Sequence, residues 1–360
     1  MHILLSTLSF LLPTQLSYTL DFLKINLIGF KIDYLIPTLY LTDIIIFLII
    51  LLNLKIYKPL IKKPAVWLLV IFVVLNVYNS DFVISSIYKW IKLSEMILLG
   101  VFIRSYKKFD AFNNFVFPLS LSMVVVNFLG IFQFVNKSSM GGIFYYLGER
   151  SFSFLDPNVA PYPYSTFSHP NSFAGFLLVF VFFLLEHKSK FEPKFFYSSF
   201  LLSSINLLLT NSLNVYLTIA VLLILNFKNN LTLGFLFLDF SQRYITHRIE
   251  LIKSSIQMIK ENFFIGVGLN NFIPNLVRYS GSFINSWELQ PVHNIFLLVF
   301  SETGVVGFLA FIVLLFASLT TYHYALISIL ITGMADHYWL TLQQNMLLFT
   351  YVVALSTIRK

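Results

Sequence analysis

His293 stands where a polar stretch meets an apolar run, in the order Pro291-Val292-His293-Asn294 followed by Ile295 to Phe316. Imidazole is the side chain whose ordinary titration range lies nearest neutral pH, so it can take a proton from a hydroxyl at working pH. An ionisable group at a loop-to-membrane junction is expensive to keep, which marks it as a site candidate. Two further histidines, His169 and His337, sit at similar junctions, in Ser165-Thr166-Phe167-Ser168-His169-Pro170-Asn171 and in Met334-Ala335-Asp336-His337-Tyr338-Trp339. With Asp336 they could ligate a metal. No HxxxH or comparable spacing is present, however, and no metal is expected. Capping of neighbouring helices is the plainer expectation for His169 and His337.

Fixed positive charge is the second chemical resource. Arg243 and Arg248 flank the start of a stretch in which Ile249, Ile252, Ile256, Ile259 and Phe263 recur at spacings of three and four. That is one face of an amphipathic helix, expected to lie on the membrane surface or over a cavity mouth. An arginine in a first helical turn gains nothing from the helix dipole, whereas two guanidinium forks beside backbone N–H groups suit a diphosphate. Solvation, or contact with lipid phosphates, is the alternative. Arg278 and Arg150 have weaker individual claims. Gly266-Val267-Gly268 lacks the third glycine and the preceding strand of a nucleotide loop, so it is expected to end the helix and turn the chain.

These residues need a scaffold, and composition says which kind. The chain is 58% hydrophobic and 11% charged, with a mean hydropathy of +0.80. This predicts an all-α integral membrane protein. Twelve apolar runs are expected to form about 12 transmembrane helices, some short or re-entrant: 3–12, 35–54, 65–79, 83–103, 111–135, 166–186, 195–210, 213–227, 231–240, 293–316, 325–334 and 345–357. The N-terminus lacks a basic segment and a cleavage site, so it is read as part of the fold rather than a signal peptide. No cysteine is present, which rules out disulfide and thiol chemistry.

Basic residues cluster at Lys55/Lys58/Lys62/Lys63, Arg104/Lys107/Lys108, Lys188/Lys190/Lys194, Lys228 and Arg359/Lys360. A cytoplasmic N-terminus and C-terminus put every cluster inside, as the positive-inside rule requires. The net charge of +8 follows from this and does not signal nucleic-acid binding. The segments 13–34, 136–165 and 241–292 then lie outside. Lys92 and Glu95, three residues apart, are expected to neutralise each other.

Four motifs in order resemble the O-antigen ligase and polymerase superfamily. They are Thr166-Phe167-x-His169-Pro170-Asn171-x-x-Ala174-Gly175, Arg248 followed by Gly266-Val267-Gly268 and Phe272, His293-Asn294 followed after nine residues by Gly304-Val305-Val306-Gly307, and Asp336-His337. The resemblance implies a GT-C-like plan, with N-terminal transmembrane helices over 1–135 and a ligase-like catalytic region over 136–360 containing the extracytoplasmic loop 241–292. It implies a bacterial inner-membrane glycosyltransferase that moves a glycan from undecaprenyl diphosphate to a glycan, lipid or protein hydroxyl. His293 would be the general base, Arg248, Arg243 and Arg278 would hold the diphosphate, and Asn294, His169, Asn171, Asp336 and His337 would support the site, with no cofactor. A polysaccharide polymerase or a protein O-glycosylating transferase fits the same motifs. A multi-pass transporter or lipid-linked-sugar flippase is the alternative of another class. It should show internal repeats and broken helices, and no repeat is evident. One departure is plain: the family usually carries an arginine after a serine at the outer end of a mid-chain helix, and here Asn211-Ser212 is followed by Leu213.

Overall fold

A computed structural model describes residues 1–23, 26–153, 159–226, 242–280, 288–319 and 323–357. Its helices are α1 (His2–Leu11), α2 (Leu41–Leu52), α3 (Leu54–Ile61), α4 (Pro64–Tyr78), α5 (Val83–Ser105), α6 (Phe117–Asn136) and the single turn α7 (Ile143–Tyr146). They continue as α8 (Pro170–Glu186), α9 (Pro193–Leu209), α10 (Leu213–Asn226), α11 (Gln242–Glu261) and α12 (Phe272–Tyr279). The last are α13 (Ile295–Ala317), α14 (His323–Gly333), the turn α15 (Tyr338–Thr341) and α16 (Gln343–Ser356). Two small antiparallel ribbons pair 17–19 with 38–40 and 26–27 with 30–31.

The outer surface differs from that of a water-soluble protein. Outward faces carry large apolar side chains, such as Trp67, Leu68, Ile71 and Val74 on α4 and Ile44, Phe47 and Leu51 on α2. Buried faces hold many small polar ones, among them Ser120, Asn127, Ser203 and Asn206. Lipid does not drive apolar faces together, so close packing and interhelical hydrogen bonds do that work. Asn206 Nδ2 donates to Asn127 Oδ1 at 3.0 Å, and Ser172 Oγ donates to Asn345 Oδ1 at 2.7 Å. α8 and α16 are buried on nearly every side, which is what an all-round apolar helix requires.

Eleven of the twelve apolar runs fall on helices; run 231–240 lies outside the described residues. Among the described residues two helical stretches are long and apolar enough to cross a membrane, Phe112–Asn136 and Ile295–Ala317. The bent pair α2–α3 makes a third if it is one span. Most other apolar runs form helices of 10–17 residues. Run 35–54 differs from expectation. Residues 38–40 are a strand, the helix begins at Leu41, and the chain turns by 74° between α2 and α3.

The expected Lys92–Glu95 pair is present, and a second acid joins it. The Lys92 ammonium meets Asp43 Oδ2 in a very short contact and lies 3.9 Å from Glu95. Asp43 sits in the first turn of α2 and also accepts from Gln343 of α16 at 2.7 Å. The buried charge therefore joins three helices as well as facing Glu95 on its own helix.

Candidate functional site

The polar cluster is assembled from loops at helix ends. Asn294 caps α13: its Oδ1 accepts from the N–H groups of Phe296 (2.9 Å) and Leu297 (3.0 Å). These are two of the donors a helix start leaves unpaired. Its Nδ2 donates to the Met334 carbonyl at 2.9 Å, tying the His293 turn to the loop that carries Asp336 and His337. His293 Nδ1 then lies 3.5 Å from Asp336 Oδ1, and the His293 and His337 rings are 5.0 Å apart. Asp336 Oδ1 also accepts from the His337 N–H at 2.8 Å, and Asn171 Nδ2 reaches Oδ2 at 3.5 Å. Arg248 donates to the Ala335 carbonyl at 3.3 Å, so its guanidinium adjoins the same loop.

Electrostatics separate the roles of these groups. Burial alone would raise the Asp336 carboxyl, but the imidazoles of His293, His337 and His169 outweigh it and hold the acid well below its ordinary range. Burial pushes His337 down to about 3, so it stays neutral. Its Nδ1 contacts Thr341 Oγ1 at 2.9 Å, and that hydroxyl donates to the His337 carbonyl at 3.2 Å. With the hydroxyl proton given to that carbonyl, Thr341 Oγ1 accepts from Nδ1–H and the lone pair stands on Nε2, a tautomer assigned from the hydrogen-bond network.

The expected site residues divide in three ways. His293, Asn294, Asn171, Asp336, His337 and Arg248 come together. His169 is exposed and caps α8, with Nδ1 accepting from the Asn171 N–H at 3.1 Å, as expected of a boundary histidine. His337 begins α15 without a side-chain cap bond. Arg278 stays apart, exposed on α12 with its guanidinium 5.8 Å from the Tyr279 ring. Arg243 falls in the first turn of α11, and its side chain lies outside the described residues.

Sequence order hid several neighbours. The nearest acids to His293 along the chain are Glu288 and Glu302, yet the carboxylate beside it in space is Asp336. Glu302 is buried elsewhere and accepts from the Phe272 N–H at 3.1 Å. Tyr34 packs edge-on against His337 with ring centroids 5.6 Å apart. Arg150 lies near enough for its charge to act on Tyr34 and His169. Residues 1–135 thus contribute more than topology, although a lone tyrosine in a polar segment gave no pattern to detect.

Further along α13, the helix is broken. α13 leaves helical geometry at Gly304 (φ 61°, ψ −169°). The Ser301 and Glu302 carbonyls freed there accept from Val267 N (2.9 Å) and Gly268 N (3.1 Å), and Val305 N donates to Phe263 O at 2.8 Å. Gly266 (φ 77°) makes the matching turn after α11, as its sequence suggested. Side chains cannot intrude at this crossing. A Cβ on Gly304 would meet the Phe264 backbone at 2.4 Å, and one on Gly266 would meet Glu302 at 2.4 Å. Asn76 of α4 braces it, donating to the carbonyls of Ile265 (2.7 Å) and Glu302 (2.9 Å).

Fold and site together define a helical membrane protein with a His/Asp/Arg cluster gathered at helix ends. Residues 168–312 match the family described as O-antigen ligase, which bears out the resemblance to that family; the Arg248 and His293 motifs and most of the His169 motif lie within the match. The match covers His169, Asn171, Arg248, Arg278, His293 and Asn294; Asp336 and His337 lie beyond it. No curated protein matches the chain. Members of that family are glycosyltransferase-like membrane enzymes, and the match supports glycan transfer of the O-antigen ligase kind at family level.

Proposed function

We propose that the chain transfers a glycan from undecaprenyl diphosphate to an acceptor hydroxyl on the outer face of the cytoplasmic membrane. The observation that carries this reading is the His293–Asp336 contact beside the Arg248 guanidinium. His293 Nε2 takes the acceptor's proton as the oxygen attacks the anomeric carbon. The bond from that carbon to the diphosphate oxygen breaks, and the diphosphate leaves with its charge facing Arg248. The anionic Asp336 stabilises the imidazolium formed at His293. A single displacement inverts the anomeric configuration. Asp336 is already engaged by His337 N–H and Asn171, which suits a supporting acid better than a nucleophile.

A guanidinium that clamps diphosphate does so with a planar fork, which an ammonium cannot imitate. Arg248→Ala should reduce transfer by about 100-fold or more, and Arg248→Lys nearly as much. Full activity in both variants, at normal protein levels, would remove Arg248 from the mechanism.

The topology proposed is multi-pass, with both termini cytoplasmic. The shorter apolar helices complete the bundle as short or half spans among their neighbours, on a GT-C-like plan. α11 supports this reading in a specific way. Its Ile249, Ile252 and Ile256 are 45%, 39% and 42% exposed, while Leu251, Ser254, Ser255 and Met258 face the protein. The free isoleucine face continues through Phe263, whose ring is 5.7 Å from Phe300 of α13. An in-plane helix at the outer interface accounts for both faces. Single cysteines introduced at Lys62, Lys190 and Lys260 test the orientation with an impermeant thiol reagent. Only position 260 should label in cells with an accessible outer face; labelling at 62 or 190 instead would reverse the topology.

Transporters also use broken helices, with freed carbonyls that coordinate ions. In this chain the carbonyls freed at Gly304 are occupied by loop N–H groups and by Asn76. The break thus serves packing between α13, the 263–268 turn and α4, which favours an enzyme over a carrier.

A further inference from the structure

We infer that His293, Asp336 and His337 bind one divalent transition-metal ion of the zinc class, and that its occupation blocks transfer. The binding half stands on geometry alone; the blocking half rests on the reading of His293 as general base.

One ligand atom from each of the three residues lies within 4.8 Å of the others. Within that group the His293–Asp336 contact is unusual. Nδ1 of His293 is buried and makes no formed hydrogen bond, although Asp336 Oδ1 is only 3.5 Å away. A charge-assisted hydrogen bond between such atoms would close to about 2.7–2.9 Å. Two corners of a zinc tetrahedron, with bonds of about 2.0–2.1 Å, stand roughly 3.4 Å apart. The observed separation is poor for the first and close to the second.

The remaining ligand is prepared in the same sense. Thr341 holds His337 in the tautomer that leaves Nε2 free to ligate. Such outer partners are what orient metal-binding imidazoles and carboxylates, and Asn171 does the same for Asp336 Oδ2. Two neutral imidazoles and one carboxylate form a three-ligand set suited to zinc, with a fourth position left for water. The opposing feature is Arg248, whose guanidinium donates to the Ala335 carbonyl at 3.3 Å beside the two ligands of that loop and weakens the site for any cation.

The consequence for transfer follows from the imidazole itself. A neutral ring that binds metal through Nδ1 carries its proton on Nε2. Nε2 then has no lone pair to receive the acceptor's proton, and the general base is lost. No bond to substrate is made or broken by the ion; it only occupies the nitrogen that must be protonated for Nε2 to be free.

The test uses the purified full chain in detergent, stripped with a chelator. Co2+ titration followed by visible absorption, and Zn2+ binding by equilibrium dialysis, should each give one ion per chain. Asp336→Asn should weaken Zn2+ binding at least tenfold. Arg248→Gln should tighten it, a gain that misfolding cannot produce. Absence of saturable binding, or binding unchanged in both variants, would overturn the site. Zn2+ should abolish transfer, and the chelator should restore it. Bound Zn2+ with undiminished transfer would overturn the blocking half while leaving the site. A stripped wild-type chain that binds Zn2+ but never transfers glycan would strike at the general-base reading instead.

Discussion

His293→Gln should lower glycan transfer by about two orders of magnitude or more, the usual worth of a general base, while protein level and membrane insertion stay normal. Glutamine keeps the size and a hydrogen-bonding end but cannot accept and return a proton. The fold should tolerate the change, because Asn294, not His293, caps α13 and ties it to the Met334 carbonyl. His293→Ala should behave alike. If a well-expressed His293→Gln chain transfers glycan at near-normal rates, the histidine only shapes the loop, and the reaction must find its base elsewhere.

The second large effect falls on the backbone. Gly304 combines φ 61° with ψ −169°, a region that is essentially glycine's alone. A methyl group there would also meet the Phe264 backbone at 2.4 Å, which no side-chain rotation relieves. Gly304→Ala should therefore cost about 3 kcal/mol or more and separate the 263–268 turn from α13. Thermal unfolding in detergent should shift sharply downward, and transfer should fall with it. Gly307→Ala is the contrast. Its added Cβ would meet Thr303 Oγ1 at 2.2 Å and Thr303 Cβ at 2.4 Å, so Thr303 must shift, but its φ is ordinary and the added Cβ meets side-chain atoms, so the loss should be smaller than at Gly304. Equal melting temperatures for the two variants would mean that the break at Gly304 is not required by the fold.

Both glycines belong to one motif that is visible in the sequence, yet only the structure separates their duties. The sequence carried the helix positions well, because apolar runs are a local signal. Run 35–54 was misjudged at its start because a strand and a turn can be as apolar as the helix they precede. The span count was harder for a related reason: a helix buried among neighbours needs less length than one that faces lipid throughout. α11 was legible as amphipathic, and its isoleucine stripe is the outward face, while the face against α13 is made of Leu251, Ser254, Ser255 and Met258. Serines at a packed interface do not register in a pattern of apolar spacings.

His293, Asp336-His337 and Arg248 were legible as separate polar islands. Their meeting was not, since it depends on Asn294 reaching the Met334 carbonyl and on the Gly266–Gly304 crossing. Tyr34 and Asn76 illustrate the same limit. Each is one unremarked residue in the first third of the chain, and each acquires a role only when a distant loop folds onto it.

The central claim is that this chain moves a glycan off undecaprenyl diphosphate with inversion at the anomeric carbon. The most direct test reconstitutes the purified chain in liposomes with lipid-linked glycans and candidate acceptors extracted from the cells that make it. Nucleotide sugars are left out and a chelator is added, and the product's anomeric configuration is read by NMR. The account predicts transfer, release of undecaprenyl diphosphate and an inverted linkage. A retained linkage, or a glycan covalently attached to Asp336 by mass spectrometry, would contradict it.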